Sequence, residues 1–315
     1  MKVAFLFSGQ GAQAIGMGKE LCENIPACDA VFESASEALG FDIKEMIFHG
    51  DSETLLITEN TQPAILTMSI AALEAVKTLG IKPDVVAGLS LGEYSAHVAA
   101  GSLDFIDAVK LVKKRGKFMQ EEVPVGVGAM AAILALEPDV VREICAKASE
   151  KGIVEPANFN CPGQITVAGE VAAVEYTCEL AKEKGAKRAM LLPVSAPFHC
   201  SMLKGAGEKL ARELENVTVF ELQIPLITNV TADYVTSKDE IKDLLVRQVS
   251  SSVLFEESLK RMLSDGIDTF IEIGPGKALS GFVKKISKDV AVYNVEDLAS
   301  LTKLKEGLVG DGMEG

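Results

Sequence analysis

The sequence predicts an α/β protein in two parts, a large domain built on a parallel sheet and a small domain inserted into it. Three observations carry this expectation. Short apolar runs, Val3-Ala-Phe-Leu-Phe7 and Val85-Val-Ala87, alternate with stretches of helical spacing, the pattern of a parallel sheet covered on both faces. From about residue 126 to residue 194 the pattern becomes β-α-β-β-α-β, the ferredoxin-like order. Strand-like runs of the first kind then resume at Pro225-Leu-Ile-Thr-Asn229 and Thr269-Phe-Ile-Glu-Ile273. The large domain is therefore expected over residues 1–125 and 195–315, and the small one over 126–194. A chain of 315 residues suits this division at roughly 100–200 residues per domain.

In chain order, Val3 to Phe7 reads as a buried strand ended by Gly9-Gln10-Gly11. Lys19 to Leu39 has helical spacing broken near Pro26. Pro63 to Leu79 predicts a helix, with Ile65, Met68, Ala72 and Val76 at helical spacing and Gly80 as its cap. Lys82 to Ala87 is a second strand, and Leu91 to Ala100 a helix ended by Gly101. In the small domain, Gly128 to Leu136 reads as a strand. Glu137-Pro138-Asp139 opens a helix to Lys151, with proline in the first turn. An extended stretch from Val154 to Phe159 leads to a Cys161-Pro-Gly163 turn and a strand from Gln164 to Ala168. Glu170 to Lys184 is a helix closed by Gly185, and Arg188 to Val194 is the final strand. Lys284-Lys285 falls in what reads as the last helix. The tail from Lys305 to Gly315 is Gly-rich and polar and is expected to fray.

Composition excludes several function classes. Lys and Arg total 31 against 45 Asp and Glu, a net charge of -14. Such a chain is not expected to grip nucleic acid over a broad face. The five residues from Val3 to Phe7 are too few for a signal-peptide core. Val125 to Leu136, the longest weakly polar stretch, falls short of the ~20 residues that span a bilayer. A cytoplasmic protein with no membrane partner is expected. Cys22, Cys28, Cys145, Cys161, Cys178 and Cys200 form no C-x-x-C pair and no zinc pattern. They are expected as reduced, packed thiols, and no metal site is expected.

One short motif carries chemistry. Gly88-Leu89-Ser90-Leu91-Gly92 matches G-x-S-x-G, lies after a strand and opens a helix. That is the setting of a nucleophile elbow, a turn too tight for a Cβ at either glycine. The serine is pushed out over the helix N-terminus, where the Leu91 N–H is free to stabilise an oxyanion. The plain alternative is a Gly-rich turn whose serine only caps a helix. A nucleophilic serine needs a base, and the chain has three histidines. His97, seven residues on along the same helix, is about 10 Å away and reads as packed or solvated. His49 reads as a loop residue in a polar turn. His199, after Pro193-Val-Ser-Ala-Pro-Phe198, is the remaining candidate. No acid stands in the place an ordinary α/β-hydrolase uses: Asp104 and Asp107 lie near a helix start, and Asp139 lies in the small domain. A backbone carbonyl is one group that can hold the imidazole instead.

Other motifs weigh less. Gly9-x-Gly11-x-x-Ala14 after a strand suggests a dinucleotide site, but Asp29 and Glu33 fall in a helical stretch and not at the end of a second strand. Gly274-Pro-Gly-Lys277 lacks the first glycine of a phosphate loop.

Taken together, the motifs resemble the malonyl-CoA:acyl-carrier-protein transacylases over nearly the whole chain. The marks are Gly9-Gln10-Gly11-Ala12-Gln13, Gly88 to Tyr94, Arg115-Gly116 with Met119-Gln120, Asn158-Phe159-Asn160, Pro162-Gly163-Gln164, Phe198-His199, Arg247-Gln248 and Glu272 to Gly276. The resemblance implies a hydrolase-like large domain carrying a ferredoxin-like one. It implies Ser90 as nucleophile, His199 as base, and the Gln248 backbone carbonyl as the group that orients His199. It implies an oxyanion hole from the N–H groups of Gln10 and Leu91, and Arg115 as the partner of the malonyl carboxylate. Met119, Asn160 and Phe198 would touch the substrate, with Phe198 resembling malonyl-selective relatives. The implied substrates are a coenzyme A thioester and acyl carrier protein; no other cofactor is implied, and a monomer is expected. Because the chain is acidic and carrier proteins are typically acidic, docking is expected at a local basic patch. Lys187, Arg188, Lys284 and Lys285 are the candidates. The chain departs from the family pattern at Leu89, where a histidine is common, at Ser8, and at Ser252 to Phe255. A stand-alone acyltransferase of polyketide synthesis, a serine hydrolase or thioesterase, and a non-catalytic carrier-binding module are the other readings.

Overall fold

The computed structural model describes residues 1–194 and 196–308. The first half runs β1 (Val3–Phe7), α1 (Lys19–Asn24), α2 (Pro26–Leu39), α3 (Ile43–His49), α4 (Ser52–Leu56), α5 (Thr58–Lys77), β2 (Val85–Gly88), α6 (Gly92–Ala99) and α7 (Phe105–Glu122). The middle runs β3 (Gly128–Leu134), α8 (Pro138–Ala148), β4 (Val154–Cys161), β5 (Gln164–Glu170), α9 (Val171–Glu183) and β6 (Arg188–Leu191). Then come α10 (Lys204–Glu215), α11 (Ile241–Val249), α12 (Phe255–Ser264), β7 (Thr269–Ile273), α13 (Ala278–Ile286), β8 (Ala291–Val295) and α14 (Leu298–Leu308).

The strands form two sheets, giving the α/β architecture read from the sequence. The larger is parallel, in the order β2-β1-β7-β8, with Phe5 beside Val86 on one side and Ile271 on the other. Strand alternation divides its two faces. Val3, Phe5 and Phe7 pack in one core with Phe32 of α2, Leu66 of α5 and Val112 of α7. Ala4 and Leu6 pack in the other with Leu259 of α12 and Phe282 of α13. Burial on both faces explains why these strands read as unbroken apolar runs. The smaller sheet is antiparallel, in the order β4-β5-β3-β6. Its Ala131, Ile133, Ile165 and Val167 pack with residues of α8 and α9.

At β4 the small sheet is tied to loops that follow α11 and His199. Phe159 donates to the carbonyl of Val253 at 2.9 Å, and Val253 donates to the carbonyl of Ala157 at 2.8 Å. Ser252 Oγ donates to the carbonyl of Pro156 at 2.6 Å. Glu155 accepts from the N–H of Ser201 at 2.9 Å and from its hydroxyl at 2.5 Å.

Several elements differ from expectation. Pro225–Asn229 is not a strand: it meets β2 only through a bridge at Leu226, because Thr228 and Asn229 turn away into their own bonds. The helix expected from Pro63 begins at Thr58. The polar residues of its first turn are tied by side chains, Asn60 Nδ2 to the Thr54 carbonyl and Thr61 Oγ1 to that of Leu55. His49 is the last residue of α3, a helix started by the Asp42 side chain, and not a loop residue. The strand expected to Val194 stops at Leu191: Leu192 still donates to the Met130 carbonyl at 2.8 Å, but Val194 turns back to the Leu192 carbonyl at 2.8 Å. The helix with Lys284 and Lys285 is followed by β8 and α14, and the tail expected to fray from Lys305 is helical to Leu308; residues 309–315 lie outside the described residues. All six cysteines are buried free thiols. Among the described residues no helix is long and apolar enough to cross a membrane.

Candidate active site

β2 ends at Gly88 and α6 begins at Gly92, so Ser90 sits in the turn between them. A Cβ at Gly88 would lie 2.0 Å from the carbonyl of Gly92, and one at Gly92 would lie 2.1 Å from the carbonyl of Phe7. Both positions therefore require glycine. Ser90 itself takes φ +52°, the left-handed region. Asn229 holds this turn by its side chain. Its Oδ1 accepts the Ser90 N–H at 2.7 Å, and its Nδ2 donates to the Gly88 carbonyl at 2.7 Å. Gln248 Nε2 donates to the Ser90 carbonyl at 3.0 Å.

Ser90 Oγ lies 2.6 Å from His199 Nε2, and His199 Nδ1 lies 2.8 Å from the main-chain oxygen of Gln248. A carbonyl can only accept, so Nδ1 carries the proton and Nε2 presents a lone pair to the serine hydroxyl. Burial pushes the His199 pKa down to about 3, with the Arg115 charge adding to it and the Gln248 carbonyl opposing it. The imidazole is thus neutral, with the Nε2 lone pair facing the Ser90 hydroxyl. His199 also has a left-handed backbone, φ +61°, and the Glu155–Ser201 bonds two residues on hold its loop in place.

Arg115 lies on α7, 1% exposed. Its Nη1 donates to Gln62 Oε1 at 2.9 Å, its Nη2 to Gln248 Oε1 at 3.0 Å, and Nη2 also reaches Ser90 Oγ at 3.4 Å. Among the described residues no carboxylate forms an ion pair with it, although its guanidinium lies 5.3 Å from the Tyr94 ring centre. Burial lowers its pKa, with Tyr94 and Glu93 opposing. A buried cation without a counter-ion is costly, and the arrangement suits an anionic ligand arriving beside Ser90. The next residue, Gly116, lets α7 approach α5: a Cβ there would be 2.5 Å from the carbonyl of Thr58.

A cavity of about 780 Å³ opens over Ser90, Arg115 and His199. Gln10, Met119, Asn160 and Phe198 line it, as does Leu89. Leu91 is buried at the start of α6, where the first N–H groups of a helix lack intrahelical acceptors. Met119 Sδ accepts from Gln62 Nε2 at 3.7 Å. Asn160 is buried, and its Oδ1 has no partner among the described residues. Lys187, Arg188, Lys284 and Lys285 do not line the cavity; all four are exposed. Arg188 pairs with Leu134, which pairs with Gln164, whose Oε1 accepts from Lys285 Nζ at 3.1 Å. The two basic pairs therefore stand at one end of the small sheet. A second cavity, about 590 Å³, lies elsewhere, lined by Lys2, Tyr234 and Asp265 among others, and holds no serine–histidine pair. Among the described residues no cluster of side chains suited to a metal is gathered.

Three site residues escape sequence reasoning: Gln62, Glu93 and Asn229. Gln62 had one signal, a polar residue directly before the apolar run Pro63-Ala-Ile-Leu66. Asn229 had a similar one, at the polar end of Pro225-Leu-Ile.

Known proteins share this architecture. The model of the acyl transferase domain matches residues 4–310. A malonyl CoA-acyl carrier protein transacylase of Bacillus subtilis is 52% identical over 297 residues, 94% of each chain. The crystal structure of a malonyl CoA-acyl carrier protein transacylase from Clostridium perfringens superposes with a TM-score of 0.96 at 52% identity, over 98% of each chain. A malonyl-transacylase solved in complex with its type II polyketide acyl-carrier protein superposes with a TM-score of 0.95 at 40% identity, over 98% of this chain and all of that one.

Proposed function

We infer the reaction from one premise: this chain belongs to the acyl transferase domain family, as a relative of the malonyl-CoA:acyl-carrier-protein transacylases. It is an enzyme that transfers the malonyl group from malonyl-CoA to acyl carrier protein, supplying fatty acid synthesis. The residue roles are our proposal. His199 Nε2 takes the Ser90 proton as Oγ attacks the thioester carbonyl. The N–H groups of Gln10 and Leu91 receive the developing oxyanion. The intermediate collapses, the C–S bond breaks, and His199 returns its proton to the coenzyme A thiolate. The phosphopantetheine thiol of carrier protein then gives its proton to His199 and attacks the malonyl-serine ester, regenerating Ser90. Gln248 keeps His199 in the required tautomer through its main-chain oxygen. Arg115 binds the free carboxylate by two parallel hydrogen bonds and favours malonyl over acetyl. Met119, Asn160 and Phe198 pack around the acyl and pantetheine groups.

The observation that carries this reading is the 3.4 Å approach of an unpaired, buried guanidinium to the same hydroxyl that a neutral imidazole meets at 2.6 Å. Nucleophile, base and anion receptor converge on one point. The basic end of the small sheet, with Lys187, Arg188, Lys284 and Lys285, is the proposed docking surface for the carrier. Thr166 and Asn158, which line the cavity, lie on strands that run to that end. The same reading has the enzyme act as a cytoplasmic monomer, and six buried thiols fit a reducing compartment.

Intact mass after brief mixing with malonyl-CoA tests it. One malonyl adduct is expected, absent in Ser90→Ala and discharged by carrier-protein thiol. No adduct and no released coenzyme A would sink the reading. Steady coenzyme A release without an adduct or transfer would point to a hydrolase.

A further inference from the structure

Outside the cavity, beneath the Ser90 turn, two buried groups face each other with no hydrogen bond between them. Glu93 and His97 lie one turn apart on α6, and both side chains are fully buried. Glu93 Oε1 is 4.0 Å from His97 Nε2, and neither atom has a hydrogen-bond partner among the described residues. The other nitrogen of His97 fixes its tautomer. Ser102 Oγ gives its single proton to the main-chain oxygen of His97 at 3.1 Å, so it accepts from Nδ1–H at 2.8 Å. A neutral His97 therefore presents a lone pair at Nε2. An ionised Glu93 would present a second lone pair to it across a fully buried contact.

We propose that Glu93 is a carboxylic acid in the working enzyme, with its proton directed at His97 Nε2, and that it is a positioning residue for Ser90 acting through Asn229. Its other oxygen, Oε2, accepts the Asn229 N–H at 2.7 Å, and Asn229 in turn holds Gly88 and Ser90. A shift of about 1 Å brings the acid proton into bonding distance. Beside a neutral His97, only the acid form supplies the donor that Nε2 requires and the acceptor that the Asn229 N–H requires.

The surroundings favour the acid over an imidazolium. Burial pushes Glu93 up to about 7, against the Asn229 N–H, the Gln248 amide and the Arg115 charge. Burial alone pushes His97 down to about 3. The titratable groups around Glu93 are Tyr94 and His97 on α6 and Arg115 on α7, and Tyr94 is itself pushed up to about 12. β1 and β2, which pack on α6, bring no titratable side chain, and the charged residues of α5, Glu59, Glu74 and Lys77, stand at its ends. A neutral Glu93 leaves the Arg115 charge for the substrate carboxylate. That consequence rests on the proposed role of Arg115; the location of the proton does not.

The test labels glutamate side-chain carboxyls with carbon-13 in the whole protein and follows them by NMR from pH 4 to 9, with Glu93→Gln assigning the signal. The expected result is one carboxyl that titrates more than about two pH units above the exposed glutamates. In activity, kcat/KM for malonyl-CoA should fall up to tenfold per pH unit above that midpoint. The fall should be missing in Glu93→Gln, which has both donor and acceptor. Glu93→Ala should lose more than about tenfold at every pH, since it has neither. A Glu93 carboxyl that titrates with the others overturns the proposal. So does an active Glu93→Asp beside an inactive Glu93→Gln. If Glu93→Gln does not fold, the infrared band of a protonated carboxyl in the unsubstituted protein at pH 6 decides, and its absence also overturns the proposal. A high-titrating carboxyl in a protein that forms no malonyl adduct would leave this inference standing and remove the function reading instead.

Discussion

Gln248 Oε1 accepts a hydrogen bond from Arg115 at 3.0 Å, while the main-chain oxygen of the same residue holds His199 at 2.8 Å. One residue thus joins the proposed receptor of the malonyl carboxylate to the proposed base. Its two functions travel through different atoms and are separable by mutation.

Gln248→Ala removes the side-chain contacts and keeps the carbonyl. The loss of one hydrogen bond to a charged group, about 1.5–3 kcal/mol, should raise KM for malonyl-CoA by roughly ten- to a hundredfold. The acylation rate constant at saturation should change less. Stopped-flow acylation across substrate concentrations separates the two.

Arg115→Met should act in opposite directions on activity and stability. Without the guanidinium, kcat/KM for malonyl-CoA should fall about a thousandfold, on the scale of breaking a buried charge pair, and discrimination against acetyl-CoA should disappear. The ligand-free protein should melt higher, by roughly 2 °C or more, because an uncompensated buried charge is gone. Competition kinetics and calorimetry on the same preparation check both.

Acid stability has a definite sign. His97 and His199 both have folded pKa values near 3, far below the ordinary 6.5. Between those values the unfolded chain binds protons that the native chain does not, so stability falls as pH falls. The slope is up to about 1.4 kcal/mol per pH unit for each histidine. Glu93 works the other way, from its ordinary 4.5 to about 7: the folded form binds the extra proton, and that stability is lost as pH rises through 7. Below pH 4.5 the histidines act unopposed. Urea denaturation from pH 3.5 to 7 should show the steepest loss at its acid end, and His97→Gln should reduce the slope there.

Charge reversal at the basic end of the small sheet tests docking. Lys187→Glu with Arg188→Glu should raise KM for carrier protein by about tenfold or more, and the defect should shrink at high salt. KM for malonyl-CoA should stay unchanged. An unchanged KM for carrier protein would place docking elsewhere.

Much of this was legible in the residues, for physical reasons that also mark the boundary. Phe5 and its neighbours read as a strand because both faces of a parallel sheet are dry. Ser90 could be paired with His199 because so few histidines compete and helix geometry removes His97. Pro225–Asn229 misled because an apolar extended run looks the same whether it joins a ladder or only brushes it. Gln62 and Asn229 gave only a polar residue beside an apolar run, and Glu93 gave no sign of its role, for a related reason. Their partners lie 53, 139 and 136 residues away, and a buried polar side chain shows its purpose only when the groups it satisfies are in view. Arg115, between Lys114 and Gly116, looks like a solvated helix end until α5 closes over it.

The bonds at β4 limit how this architecture can be recombined. The strand answers the Ser252–Val253 loop after α11 on one side and the Ser201 loop after His199 on the other. The small sheet is thus a brace for the loop of His199, the proposed base. A chimera that exchanged it as a cassette would cut both sets of bonds at once. Transplants between relatives should succeed only when β4 travels with the two loops that meet it, and the intact chain should melt in a single calorimetric transition.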